Sequence, residues 1–159
     1  MKWNRKFVYP KSIRSTENGI RRYLIGEKKL PGVTSILDAT KSEEDKAALA
    51  NWVERTGLKE SEAIVKAASS RGSKMHAYLE SFLLGRENLS FFDDNEQYKI
   101  MAKEIIEKGL INRLEEVWGV ECTLYKPDSY SGTCDAVGVY DGRESIIDFK
   151  QSNKPKKFE

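Results

Sequence analysis

Apolar and polar positions alternate in two different rhythms along this chain. Residues 6–9 (Lys-Phe-Val-Tyr) and 21–25 (Arg-Arg-Tyr-Leu-Ile) read as short strands, with a polar turn around Asn18-Gly19. Pro31 and Gly32 then break the pattern, and Val33, Ile36 and Leu37 fall at helical spacing. Ser42, with Asp45 three residues on, forms a variant capping box. Behind it Ala48, Leu49, Trp52 and Val53 make an apolar stripe, and Gly57 is a natural stop. "LKESEAIVKAASSRGSKMHAYLESFLLGRE" gives either two helices or one broken near 70–72, with Met75, Leu79, Phe82 and Leu83 on one stripe. A further amphipathic helix spans "NEQYKIMAKEIIEKGLINRLEEV", with Tyr98, Met101, Ile105 and Leu110 inward.

After that the period changes. "VWGVECTLYKP" and "GTCDAVGVYDGRESIIDFKQS" are β-rich and punctuated by Asp128, Gly132, Asp141 and Gly142. Helices followed by a meander predict a mixed α/β (α+β) domain with a small sheet.

Asp141-Gly142 is a strong two-residue hairpin signal. With that loop Tyr140 pairs with Arg143, and five steps outward Asp135 falls opposite Asp148. Directly opposed side chains have Cβ atoms roughly 4.5–5.5 Å apart. Lys150 points to the same face, two residues beyond Asp148. Two facing carboxylates destabilise a sheet unless a positive group sits between them. Two readings stand level: a salt-bridged surface cluster with Lys150, or a divalent cation that keeps several waters and activates one of them.

His76 is the single histidine. It shares a helix face with Glu80, four residues on, which suits a third metal ligand with Glu80 behind it. A histidine packed beside Met75 and Leu79 is the plainer alternative. Glu121, at a strand start, either points toward the aspartate pair or is a solvated acid.

Composition changes this picture little. The 159 residues, 39% hydrophobic and 33% charged, fit one globular domain with an appended arm. We expect a basic N-terminal arm with short strands over 1–30. Helices over 31–112 and a meander over 117–152 then form the main domain, 31–159. No apolar run approaches a membrane span. The N-terminus lacks the apolar core of a secretory signal. Cys122 and Cys134 read as reduced thiols of an intracellular protein. Net charge is only +2, but basic residues crowd 2–29 and the tail "NKPKKFE", while acids gather in 43–62 and 93–121. Basic ends suit a polyanion, and equally an ordinary solvated surface.

"GTCDAVGVY…IIDFKQS" resembles the catalytic signature of the PD-(D/E)XK nuclease superfamily. "LPGVTSIL", the Trp52 helix and "RGSKMHAYLE" are similar to its RecB-like exonuclease branch, which takes in mitochondrial genome maintenance exonuclease and phage relatives. Gly72 and His76 match that branch's Gly-x-x-x-His helix. The resemblance implies a restriction-endonuclease-like core and a deoxyribonuclease cutting at single-stranded DNA ends in the cytoplasm, a host's if phage-encoded. It implies His76, Asp135, Asp148 and the Phe149 carbonyl as ligands of Mg²⁺ or Mn²⁺, Lys150 as the catalytic lysine, and Glu121 as a supporting acid. Ser35 and Ser152 match DNA-phosphate positions. Arg71, Lys74 and Lys154 are basic enough to track a backbone. The family continues into a further helix with a Gln-x-x-x-Tyr-type motif and another strand, whereas this chain stops at Glu159. The expectation is a sheet lacking its closing elements, whose open edge invites self-association. Two rivals remain: a nuclease-derived module that grips DNA or protein without cutting, and a metal-free scaffold with a salt-bridged cluster. Divalent binding separates the second and turnover the first.

Overall fold

The computed structural model describes residues 1–86 and 96–152. Along the chain run β1 (Lys2–Trp3), β2 (Ile13–Glu17), β3 (Ile20–Ile25), β4 (Lys28–Pro31), α1 (Val33–Ala39), α2 (Glu43–Thr56) and α3 (Leu58–Leu83). Then come α4 (Gln97–Glu104), a π-helical segment (Ile105–Leu110), β5 (Leu114–Lys126), β6 (Tyr130–Tyr140) and β7 (Arg143–Ile147). The protein is thus a mixed α/β fold. It divides into two compact units, one of residues 1–7, 67–121 and 135 onward, the other of 8–66 and 122–134.

The first unit holds the main core. Met75, Leu79 and Leu83 of α3, at i, i+4 and i+8, are fully buried. They cluster with Ala102, Ile106, Leu110, Leu114, Val117, Ala136 and Phe149. Ser69, Ser70 and Gly72 do not break α3, because tertiary packing overrides weak local propensity. The next helix does change form. After Glu104 it widens, and the Ile111 N–H donates to the Ile106 carbonyl at 2.8 Å. It ends at Leu110, and Asn112 just beyond has a left-handed φ of 65°.

The strand order is β1-β5-β6-β7. The two-residue β1 runs parallel to β5, pairing Trp3 with Val117, and replaces the strand expected at 6–9. The Trp3 indole N–H donates to the Leu83 carbonyl at 2.9 Å, satisfying an orphan acceptor at the end of α3. Gly138 lies against β5 so closely that an added Cβ would stand 2.0 Å from the Glu116 carbonyl oxygen. The β6–β7 hairpin has the expected register, Tyr140 with Arg143 through Ala136 with Ile147. Its turn puts Asp141 and Gly142 at φ 48° and 73°, as a type I′ turn requires. Arg113 locks it with two-pronged hydrogen bonds to the Asp141 carboxylate.

In the second unit β2, β3 and β4 form an antiparallel sheet around the Asn18-Gly19 turn. Tyr23 and Leu30, paired across β3 and β4, are buried. Ser42 caps α2 as the sequence predicts, accepting from the Asp45 N–H at 3.1 Å. The α2 stripe is not a core face: α2 buries no residue, and Leu49 is 54% exposed. Amphipathic spacing marks a face without supplying something to cover it.

Candidate metal centre

Phe149 organises the site. Its ring is buried in the core of the first unit, so the flanking Asp148 and Lys150 point outward together. They meet as an ion pair, Lys150 Nζ to Asp148 Oδ2 at 2.7 Å. The Phe149 backbone N–H turns the other way and donates to Asp135 Oδ2. β7 ends at Ile147. The ladder that would set Asp148 opposite Asp135 stops one step short, because the Asp135 side chain captures the next amide.

Asp135 instead meets His76. His76 Nδ1 lies 3.0 Å from Asp135 Oδ1, with the side chains 29% and 13% exposed. Their neighbours shift both groups. The hydrogen bond to Asp135 leads in raising the His76 pKa, and burial only partly opposes it. Burial alone would raise the Asp135 pKa, but the bonds from His76 and the Phe149 N–H together outweigh it and hold the carboxyl below its usual value. Both shifts favour the charged forms, an imidazolium facing a carboxylate.

The third member is Glu121. One ligand atom from each of His76, Glu121 and Asp135 lies within 4.8 Å of the others. Ligands of one hard cation sit at most about 4–5 Å apart, so the trio has the spacing of a divalent site. One nitrogen and two carboxylates suit Mg²⁺ or Mn²⁺ chemically, Mg²⁺ favouring oxygen and Mn²⁺ tolerating imidazole. Glu121 reaches the group from inside β5 with φ +49°, a left-handed conformation costly for a non-glycine residue in a strand. Such strain recurs where a side chain is re-aimed at a functional site.

The other expected site residues lie as follows. Asp148 and Lys150 form their own pair rather than joining the trio. Phe149 reaches Asp135 through its N–H. Glu80 is half-buried one turn beyond His76. Arg71 is bonded to Gln151 and Gln97. Lys74 pairs with Glu96 at 3.6 Å and lies over the Tyr98 ring. In the second unit the Ser35 hydroxyl accepts from the Arg21 N–H at 2.8 Å. Ser152 is exposed, and Lys154 lies outside the described residues. Gln151, a polar residue directly after Lys150, has no role in the sequence pattern; its amide meets Ala68 and Arg71 beside Gly72 on the histidine helix.

No protein-family model matches the chain. Among curated proteins it is similar to Mitochondrial genome maintenance exonuclease 1 of Homo sapiens, 30% identical over 137 residues, covering 81% of this chain and 38% of that protein. The Mus musculus protein of the same name is 30% identical over 135 residues, covering 80% and 38%. The class these findings define is a chain related to an exonuclease. It spans about 38% of the length of the curated relatives it matches.

Proposed function

We propose that this chain is the metal-binding part of a DNA exonuclease of the RecB-like PD-(D/E)XK type, hydrolysing phosphodiester bonds at single-stranded ends with Mg²⁺ or Mn²⁺. The observation that carries the reading is the convergence of His76, Glu121 and Asp135 from a helix and two strands, beside an exposed Asp148–Lys150 pair. The sequence similarity to proteins named as exonucleases agrees with it.

In this reading His76, Glu121 and Asp135 would hold the cation, and the Phe149 carbonyl and Asp148, once turned from Lys150, would be further ligands. The bound cation supplies a water of lowered pKa and polarises a phosphoryl oxygen. The Asp135 carboxylate, fixed by the Phe149 N–H, keeps its second oxygen aimed at His76. The Lys150 ammonium, 60% exposed, is free of the core and able to meet a phosphate oxygen where negative charge builds. Asp148, two residues away, accepts its hydrogen bond at 3.0 Å and orients it. Among the described residues no helix is long and apolar enough to cross a membrane. Self-association through a sheet edge belongs to the same proposal, β7 being an end strand of its sheet among the described residues.

Digestion of end-labelled single-stranded and duplex DNA with Mg²⁺, Mn²⁺ or EDTA tests this, comparing the chain with Asp135→Asn and Lys150→Ala. Metal-dependent shortening of the single strand, lost in both variants, is expected. DNA binding without shortening under every metal would replace it with a binding module.

A further inference from the structure

The residue after the lysine makes the longest-range polar contacts near the site. The Gln151 amide nitrogen donates to the Ala68 carbonyl in α3. Its amide oxygen accepts from Arg71 Nε at 2.9 Å. Arg71 then extends to Gln97 at the start of α4, Nη1 to Oε1 at 3.2 Å. One side chain thus spends both ends of its amide on α3, and the arginine it engages reaches a second helix.

Gly72 stands under this contact. A Cβ there would lie 2.9 Å from the Gln151 amide nitrogen, closer than real Cβ atoms come. Gly72 occupies the interior of α3, where glycine is less favourable than alanine. It has no left-handed φ to justify it. The space that its missing side chain leaves is filled by Gln151, and that is a physical reason for a glycine at this position. His76 follows one turn later on the same helix face.

We propose that Gln151 and Gly72 form a clasp that positions the Asp148–Lys150 segment against the histidine-bearing helix, and that Arg71 serves this clasp rather than substrate. β7 ends at Ile147, so among the described residues no ladder hydrogen bond holds 148–150 in place. The segment is pinned before Lys150 by the Phe149 N–H on Asp135, and after it by Gln151 on Ala68 and Arg71. Lys150 sits between the two pins, its side chain paired with Asp148. Gln151 is a positioning residue: it acts through the backbone of Lys150. The geometry stands by itself, whereas the consequence for cleavage rests on the nuclease reading.

The test is a double-mutant cycle of Gly72→Ala and Gln151→Ala in the full chain, with Gln151→Glu as a milder variant. Amide hydrogen exchange over residues 147–151 and Mn²⁺ calorimetry are read alongside single-turnover cleavage. Gly72→Ala and Gln151→Ala are each expected to speed exchange at Phe149–Gln151 about tenfold, the effect of losing one hydrogen-bonded contact. β6 should keep its protection. Where cleavage is present, its rate falls with DNA affinity unchanged. Gly72→Ala added to Gln151→Ala should cost almost nothing more, because the amide it displaces is gone. Gln151→Glu keeps the bond from Arg71, loses that to Ala68, and falls between. Additive effects, or unchanged exchange at 148–151 in both single variants, would overturn the clasp. If no variant or parent cuts DNA, the nuclease reading fails and the exchange cycle still decides the clasp.

Discussion

His76 Nδ1 and Asp135 Oδ1 lie 3.0 Å apart although 59 residues separate them in sequence. A proton on this imidazole would compete with a cation for it, so binding by the candidate site would depend on pH.

The stability of the metal-free chain should therefore carry a signature of this pair. His76 is raised above 6.5, so its contribution is full below that pH and fades as pH climbs through the raised value. Asp135 is lowered below 3.8, so its contribution is present above that pH and fades as pH falls through the lowered value. Both act together between 3.8 and 6.5. His76→Gln should flatten the upper edge of this window in thermal melts taken across pH. An unchanged profile would mean the pair carries no charge.

Mn²⁺ affinity should run the other way at the upper edge. Deprotonation of His76 frees a ligand, so binding strengthens as pH rises through its raised pKa. His76→Ala should weaken Mn²⁺ by at least about tenfold, since loss of a mere supporting partner already costs that much. Calorimetry at two pH values, with and without the substitution, checks both statements.

Phe149→Ala removes a buried ring from the core and unpins the Asp148–Lys150 segment at once. The expected loss is about 3–5 kcal/mol of stability. Denaturant unfolding measures it, and Phe149→Leu should recover most of the stability.

Gly138→Ala should be among the most damaging small changes in the sheet. The new Cβ meets a backbone carbonyl oxygen at 2.0 Å, which cannot swing aside as a side chain would. A loss of at least about 1–3 kcal/mol is expected from such overpacking. Ser42→Ala supplies the contrast. It removes only the α2 cap, costs about 1 kcal/mol, and should leave Mn²⁺ binding unaltered.

Much of the architecture was legible in local pattern. Asp141-Gly142 chose the hairpin, and period-two alternation then carried its register out to Ala136 and Ile147. The spacing of Met75, Leu79 and Leu83 named the buried face of α3. Ser42 named the start of α2. These succeed because turn chemistry, capping and face periodicity act over a few residues.

Other features were decided elsewhere. Whether the Ser70–Gly72 stretch breaks a helix depended on what packs there, and Gln151 packs there. The two-residue strand at Lys2–Trp3 exists because β5 offers an edge to it. The Leu49 stripe of α2 has the spacing of a core face and remains exposed.

The sequence by itself marked the candidate residues: a lone histidine on one helix face, and an aspartate and a lysine flanking an apolar anchor. Only the tertiary structure decided which of them meet. The left-handed turn at Glu121 brings that acid to His76 and Asp135, while the end of β7 leaves Asp148 to Lys150. Periodicity tells a side chain which face it occupies, but the distance between two faces is set by packing between segments far apart in the chain.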